Sequence, residues 1–184
     1  MKTKIRIFIG LLISFLCSAD MFAQTNYYTE TKTFHENGYV YQCDVVQESK
    51  MVTLYNKENQ LTYVDQIDKT TGKELPLFDE LDDVVDDDWT RAKSEEIVNR
   101  AFSVEQKKAV KGRVLLISMY ISPETGRVVE VKFETATFCP FAKIPVSVYR
   151  QIEVGLKDSI WFTPTADGRK LNYIYRGWNQ EITE

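Results

Sequence analysis

Four runs rich in Tyr, Thr, Val and Phe recur along the first third of the chain: YYTETKTF at 27–34, YVYQCDVV at 39–46, MVTLY at 51–55 and LTYVDQ at 61–66. The short polar breaks HENG, QESK and NKENQ separate them, so the spacing predicts an antiparallel β-meander. Asn37 and Gly38 tolerate the positive φ that a two-residue hairpin loop demands. That loop would pair Glu36 with Tyr39 and Lys32 with Cys43. IDKTTGKELP, at 67–76, ends the region in a further turn.

The period then changes. From Trp89 to Lys111, the residues Trp89, Ala92, Ile97, Ala101 and Val104 recur at helical spacing, and Ser103 with Gln106 forms a capping-box signature that restarts the helix after Phe102. Gly112 stops it. VLLISMYIS, at 114–122, is apolar on both faces and belongs inside a sheet. Its partner alternates Val129, Val131 and Phe133 with Glu130, Lys132 and Glu134, which predicts one buried and one wet face. PETGR joins the two. Pro145 suits the first turn of a second helix, with Val148, Ile152 and Leu156 on one stripe. IWFTP and KLNYIYRGWNQEI are again strand-like, split by ADGR. The fold class is therefore α+β: an N-terminal antiparallel β-meander, then helix, strand, strand, helix, strand.

Residues before the meander change where the chain is expected to work. Lys2, Lys4 and Arg6 precede the apolar run IFIGLLISFL, which is shorter than the ~20 residues a bilayer-spanning helix needs. A short small-to-polar stretch ending at Gln24 follows. This is the layout of a secretory signal peptide over 1–24, so the expected location is periplasmic or extracellular, without a membrane span after cleavage. Lipidation at Cys17 is the alternative, and Leu16 before it is a poor residue for that cleavage. The expected organisation is a leader at 1–24, a β-rich region at 25–76, an acidic linker at 77–88 and an α+β domain at 89–184.

Cleavage at Gln24 removes Lys2, Lys4, Arg6 and Asp20, leaving 20 basic and 26 acidic side chains and a net charge of −6. No stripe of Lys and Arg interleaves with aromatic residues, so nucleic acid is not an expected partner. Export allows a disulfide between Cys43 and Cys139, while two separately buried thiols fit the sequence equally well.

Candidate chemistry is sparse. LFDELDDVVDDDW, at 77–89, holds seven acids in thirteen positions, but Asp82, Asp83, Asp86, Asp87 and Asp88 lack the alternating ligands and central glycine of a calcium loop. It reads as a solvated linker whose last acids sit at the positive end of the next helix. The single histidine, His35, lies in a polar turn, several residues along the ladder from Cys43. No catalytic, metal-binding or cofactor-binding set emerges, and a hydrolase is the least favoured reading. The last strand holds the candidate binding residues Tyr173, Tyr175, Arg176 and Trp178, since aromatic and Arg side chains are enriched at interfaces. An exposed Trp161 would suit a sugar, although a core position is the plainer expectation for it.

Residues 113–182 resemble the C-terminal domain of the TonB family. The resemblance rests on MYISPETGRVVEV, VSVYRQIEVGLKDS, WFTPTADGRK and LNYIYRGW. It implies a small sheet whose edge accepts an extended peptide, hence a noncatalytic protein that binds a peptide or envelope protein by strand addition. The chain departs from the family pattern in having five scattered prolines instead of a Pro-rich spacer, and no Gln-Pro dipeptide. An energy-transducing role is thereby excluded from the expectation, and a structural part in envelope assembly is the alternative. The whole chain is also similar to a family of short secreted proteins of unknown function, on KIPVSVYRQIEVGLKDSIWF and LNYIYRGW.

Overall fold

In the computed structural model, six antiparallel strands form one sheet with three α-helices on one face, and the described residues are 25–75, 82–85 and 88–183. The leader expected over 1–24, Cys17 within it, and most of the acidic stretch lie outside them. Among the described residues, no helix is long and apolar enough to cross a membrane.

β1 (Lys32–Glu36) and β2 (Tyr39–Val46) form the predicted hairpin, with Glu36 opposite Tyr39 and Lys32 opposite Cys43. Asn37 at φ 44° and Gly38 at φ 81° make the tight turn. β3 (Met51–Asn56) follows as expected. The fourth run, 61–66, is not a strand: it crosses the sheet face opposite the helices. Its polar groups are taken from outside a ladder: the Glu130 carboxylate accepts from the Leu61 amide, and the Thr62 carbonyl accepts from the Tyr120 hydroxyl. Backbone satisfied in this way has no need of a strand neighbour.

β4 (Val114–Ile121) and β5 (Val128–Ala136) form the central hairpin, and β6 (Ile174–Glu181) pairs with β4. The sheet order is β1-β2-β3-β5-β4-β6, so the meander joins the later strands through β3 and β5. The alternation expected for β5 holds from Glu130 onward and slips before it. A register shift lets Val128 take the buried place and turns Val129 outward. IWFTP forms only an isolated bridge from Trp161 to Arg127, and another from Pro164 to Val84.

α1 (Asp88–Ala101), α2 (Val104–Val110) and α3 (Val146–Ser159) cover the other face. Both halves of the Ser103/Gln106 capping box are present, and Pro145 stands immediately before the first turn of α3. Val148, Ile152 and Leu156 are buried, as their stripe predicts. The buried stripe of α1 is a different one: Thr90, Ser94, Ile97, Val98 and Ala101, while Trp89, Ala92 and Val104 face solvent. The true stripe has the better helical spacing, but its first two members are hydroxyl residues, and an apolar count passes over them.

One charge binds the meander to α3. Glu153 is fully buried, accepting from the Tyr41 hydroxyl at 2.5 Å, Arg150 Nη1 at 2.7 Å and Asn56 Nδ2 at 3.2 Å. Glu153→Ala is expected to cost about 2–4 kcal/mol, because the Tyr41 and Asn56 donors would be left in the interior without an acceptor. Chemical denaturation measures this, and Glu153→Gln, which keeps an acceptor, should lose less.

Candidate functional site

Between β6 and the first turns of α1 lies a cleft of about 280 Å³. Its apolar wall is Val84, Val85, Met119, Phe162 and Trp178, and its polar groups include Thr90, Arg91, Ser94 and Arg176. Alternation along β6 sends Arg176, Trp178 and Gln180 to the helix face, which places two of the four predicted binding residues at this cleft. Trp178 is 9 % exposed and donates its indole N–H to Gln180 Oε1 at 2.9 Å. The Arg91 guanidinium stands 5.3 Å from the Trp178 ring centre and its Nε donates to Glu95 at 2.6 Å.

Arg176 fixes the far wall. It donates to both carboxylate oxygens of Asp83, at 2.5 and 3.1 Å, and to the Tyr175 carbonyl at 2.8 Å. Asp83 is 3 % exposed, so the expectation of a wholly solvated acidic linker is corrected at 82–85. There the Asp83 carbonyl accepts from the Thr165 amide, and the Val85 amide donates to the Thr163 carbonyl. A bidentate ion pair needs only one well-placed arginine, and that arginine is ninety-three positions away in sequence. Asp88 does occupy the first turn of α1, as predicted.

Tyr173 and Tyr175 point to the opposite face, away from the cleft. With Tyr120 and Leu61 they form a second small core under the 61–66 segment. Tyr173 donates its hydroxyl to the Val64 carbonyl at 2.6 Å, and the Tyr175 and Ser118 hydroxyls are 2.9 Å apart. The four candidates are thus split two and two, and the tyrosine pair holds the strap to the sheet.

Sequence reasoning passed over Ser94. It is 1 % exposed, lies on the cleft wall, and its Oγ has no hydrogen-bond partner among the described residues. The detectable signal was the Thr90, Ser94, Ile97, Ala101 spacing, read without regard to hydrophobicity. Trp161, expected in the core, is 49 % exposed. Its ring lies 4.6 Å from that of Trp89 at 54°, with the Arg127 guanidinium 5.4 Å from its centre. These neighbours take up ring surface that a flat sugar would need.

Cys43 and Cys139 are both free thiols, so the disulfide that the sequence allowed between them is not formed. Cys43 sits on the core face of β2, with its Sγ 3.7 Å from the Glu30 carbonyl, whereas Cys139 precedes the short turn 140–143 after β5. Burial pushes the Cys43 thiol up to about 12. His35 pairs with Val40 on an adjacent register position and is exposed, so it lies on the other face from Cys43. Cys43 and His35 therefore form no thiol and base pair. A second cavity, of about 320 Å³, borders His35, Lys57, Glu58 and Arg150 and has Tyr39 as its aromatic wall. Among the described residues, no group of three or more His, Cys, Asp or Glu side chains is placed to hold a metal ion.

The family model described as Domain of unknown function (DUF5043) matches residues 24–178. The chain is also similar to the crystal structure of a DUF5043 family protein from Bacteroides uniformis ATCC 8492. The two share 43% identity over 86% of this chain and 95% of that one, with a TM-score of 0.82. No protein of curated function matches the sequence.

Proposed function

The chain belongs to the DUF5043 family, and from that premise we propose that it is an exported, noncatalytic binding protein that takes an extended peptide, or a segment of an envelope protein, onto the edge of β6. One observation carries the reading. β6 is the last strand of the sheet, and no strand among the described residues lies on its far side. The outer edge of β5, which an isolated hairpin would leave open, is paired instead with β3.

An edge strand presents a row of backbone donors and acceptors that a partner strand can complete. The opposite edge, β1, is five residues long and carries Lys32 and Glu36, and a short strand with charged side chains discourages pairing. β6 has eight residues and runs beside the cleft. The TonB C-terminal resemblance points to the same edge, because that family adds a peptide strand to its sheet. The leader-like start of the chain fits export.

Peptides selected from a displayed random library against the exported protein should include a binder that slows hydrogen exchange at amides of β6 by about tenfold or more. Protection confined to β1, or to residues remote from β6, would overturn the proposal. So would sedimentation showing that β6 is covered by a second copy of the chain.

A further inference from the structure

We infer that the second cavity, where the β1–β2 hairpin and the end of β3 meet α3, binds a free α-amino acid with a neutral side chain. Its volume of about 320 Å³ lies within the ~300–1,000 Å³ typical of sites for small molecules.

The cavity is lined by an arginine that the interior holds in place. Glu153 is fully buried and both of its oxygens are occupied. Oε2 accepts from the Tyr41 hydroxyl and from Arg150 Nη1, while Oε1 accepts from Asn56 Nδ2 and has Lys157 Nζ at 3.6 Å. Arg150 and Asn56 are the members of this network that line the cavity. The Arg150 guanidinium also stands 5.6 Å from the Tyr39 ring centre, so it is fixed on two sides. A buried carboxylate is costly to desolvate and is weak evidence for stability alone. Presetting an arginine for a ligand gives it a use. Arg150 Nε and Nη2 have no hydrogen-bond partner among the described residues, and those two donors make the side-on fork that fits a carboxylate.

The open charges of the lining select a zwitterion. Beside Arg150, Lys57 and Glu58 line the cavity, and neither side chain has a hydrogen bond or ion pair among the described residues. The remaining titratable groups of the lining are the exposed His35 and Tyr39, whose hydroxyl donates to Glu36 at 3.1 Å. Glu153 and Glu36 are therefore already engaged, and Glu58 is the carboxylate left open to an ammonium. A plain acid would meet Glu58 unpaired, and a plain amine would meet Arg150 and Lys57. A further charge on the side chain would find no group left to pair with it. Tyr39 and Val40 supply apolar wall for a neutral side chain.

The test titrates L-leucine into the exported protein carrying isotope-labelled arginine. Isocaproate and isoamylamine, the same skeleton without its amine or without its carboxylate, are the controls. Leucine should shift the Arg150 Nε–H resonance to saturation, and each control should bind about tenfold more weakly, the ratio that one charge-assisted hydrogen bond supports. Glu58→Gln should bring leucine and isocaproate to within about twofold of each other, and Lys57→Gln should weaken leucine by about tenfold. Both positions are exposed, so neither substitution disturbs the core. An Arg150 resonance that leucine leaves unmoved, a control that binds as tightly as leucine, a leucine preference that survives Glu58→Gln, or an affinity indifferent to Lys57→Gln would each overturn the inference. β6 lies at the edge of the sheet opposite β1, so strand addition there stands or falls on its own experiment.

Discussion

Above pH 10 the protein is expected to lose stability at about 5 kcal/mol per pH unit, because four buried tyrosines keep protons that the unfolded chain releases. The four are Tyr28, Tyr41, Tyr120 and Tyr149, each no more than 2 % exposed. Burial is the largest cause in every case and raises each phenol above its ordinary value. Tyr149 adds to the effect on Tyr28, Glu153 to that on Tyr41, Tyr173 to that on Tyr120 and Cys139 to that on Tyr149. A group with a raised folded pKa contributes its stability in full below the unfolded value, near pH 10, and loses it as the pH rises toward the folded one. Each phenol withheld from ionisation removes about 1.4 kcal/mol per pH unit in that window.

Absorbance at 295 nm, followed together with near-ultraviolet circular dichroism, reads this directly. The late-ionising tyrosines should titrate together with the loss of tertiary signal. Ten tyrosines that all ionise around pH 10 with the tertiary signal intact would contradict it. Tyr28→Phe should flatten the slope by about a quarter, although it also removes the hydrogen bond to the Ile144 carbonyl.

Gly126→Ala is expected to cost about 3–5 kcal/mol, the sum of a left-handed backbone for a residue with a Cβ and a steric collision. Gly126 has φ +71°, and a Cβ built there falls 1.9 Å from the Phe162 carbonyl oxygen. The neighbour is not free to retreat, because the Phe162 amide donates to the Gly126 carbonyl at 2.8 Å. The 160–165 segment would have to lift off the β4–β5 turn, carrying Phe162 away from the cleft. At about 2–4 °C per kcal/mol for a protein of this size, Tm should fall by about 6–20 °C. A calorimetric scan in which the variant melts within two or three degrees of the wild type would show that the turn adjusts without cost.

Local signals carried much of the architecture. The Asn37-Gly38 pair needs only its own φ values to set a hairpin register, and the Ser103/Gln106 box is closed within four residues. The apolar stripe of α3 and the two-faced burial of β4 follow from periods of 3.6 and 2. Each of these is decided by neighbours in the chain, and each appears in the structure where it is expected.

The cleft was not legible in that way. Alternation along the last strand separates Arg176 and Trp178 from Tyr173 and Tyr175, but nothing in it says which face borders a cleft. LTYVDQ carries a strand-like composition, yet its backbone is held largely by side chains: Glu130 on β5, Tyr120 on β4, and Asn172 and Tyr173 before β6. Asp83 looked like one solvated acid among seven until a distant arginine met it.

The chain by itself determined the helices, the strands and the tight turns, apart from 61–66 and IWFTP, because those depend on φ preferences and hydrophobic period within a few residues. Only the tertiary structure decided that β3 seals β5 and leaves β6 at the edge, and that Ser94, Arg176 and Trp178 share one cleft. Strand order and buried polar pairing depend on contacts between residues far apart in sequence, and no local pattern encodes them.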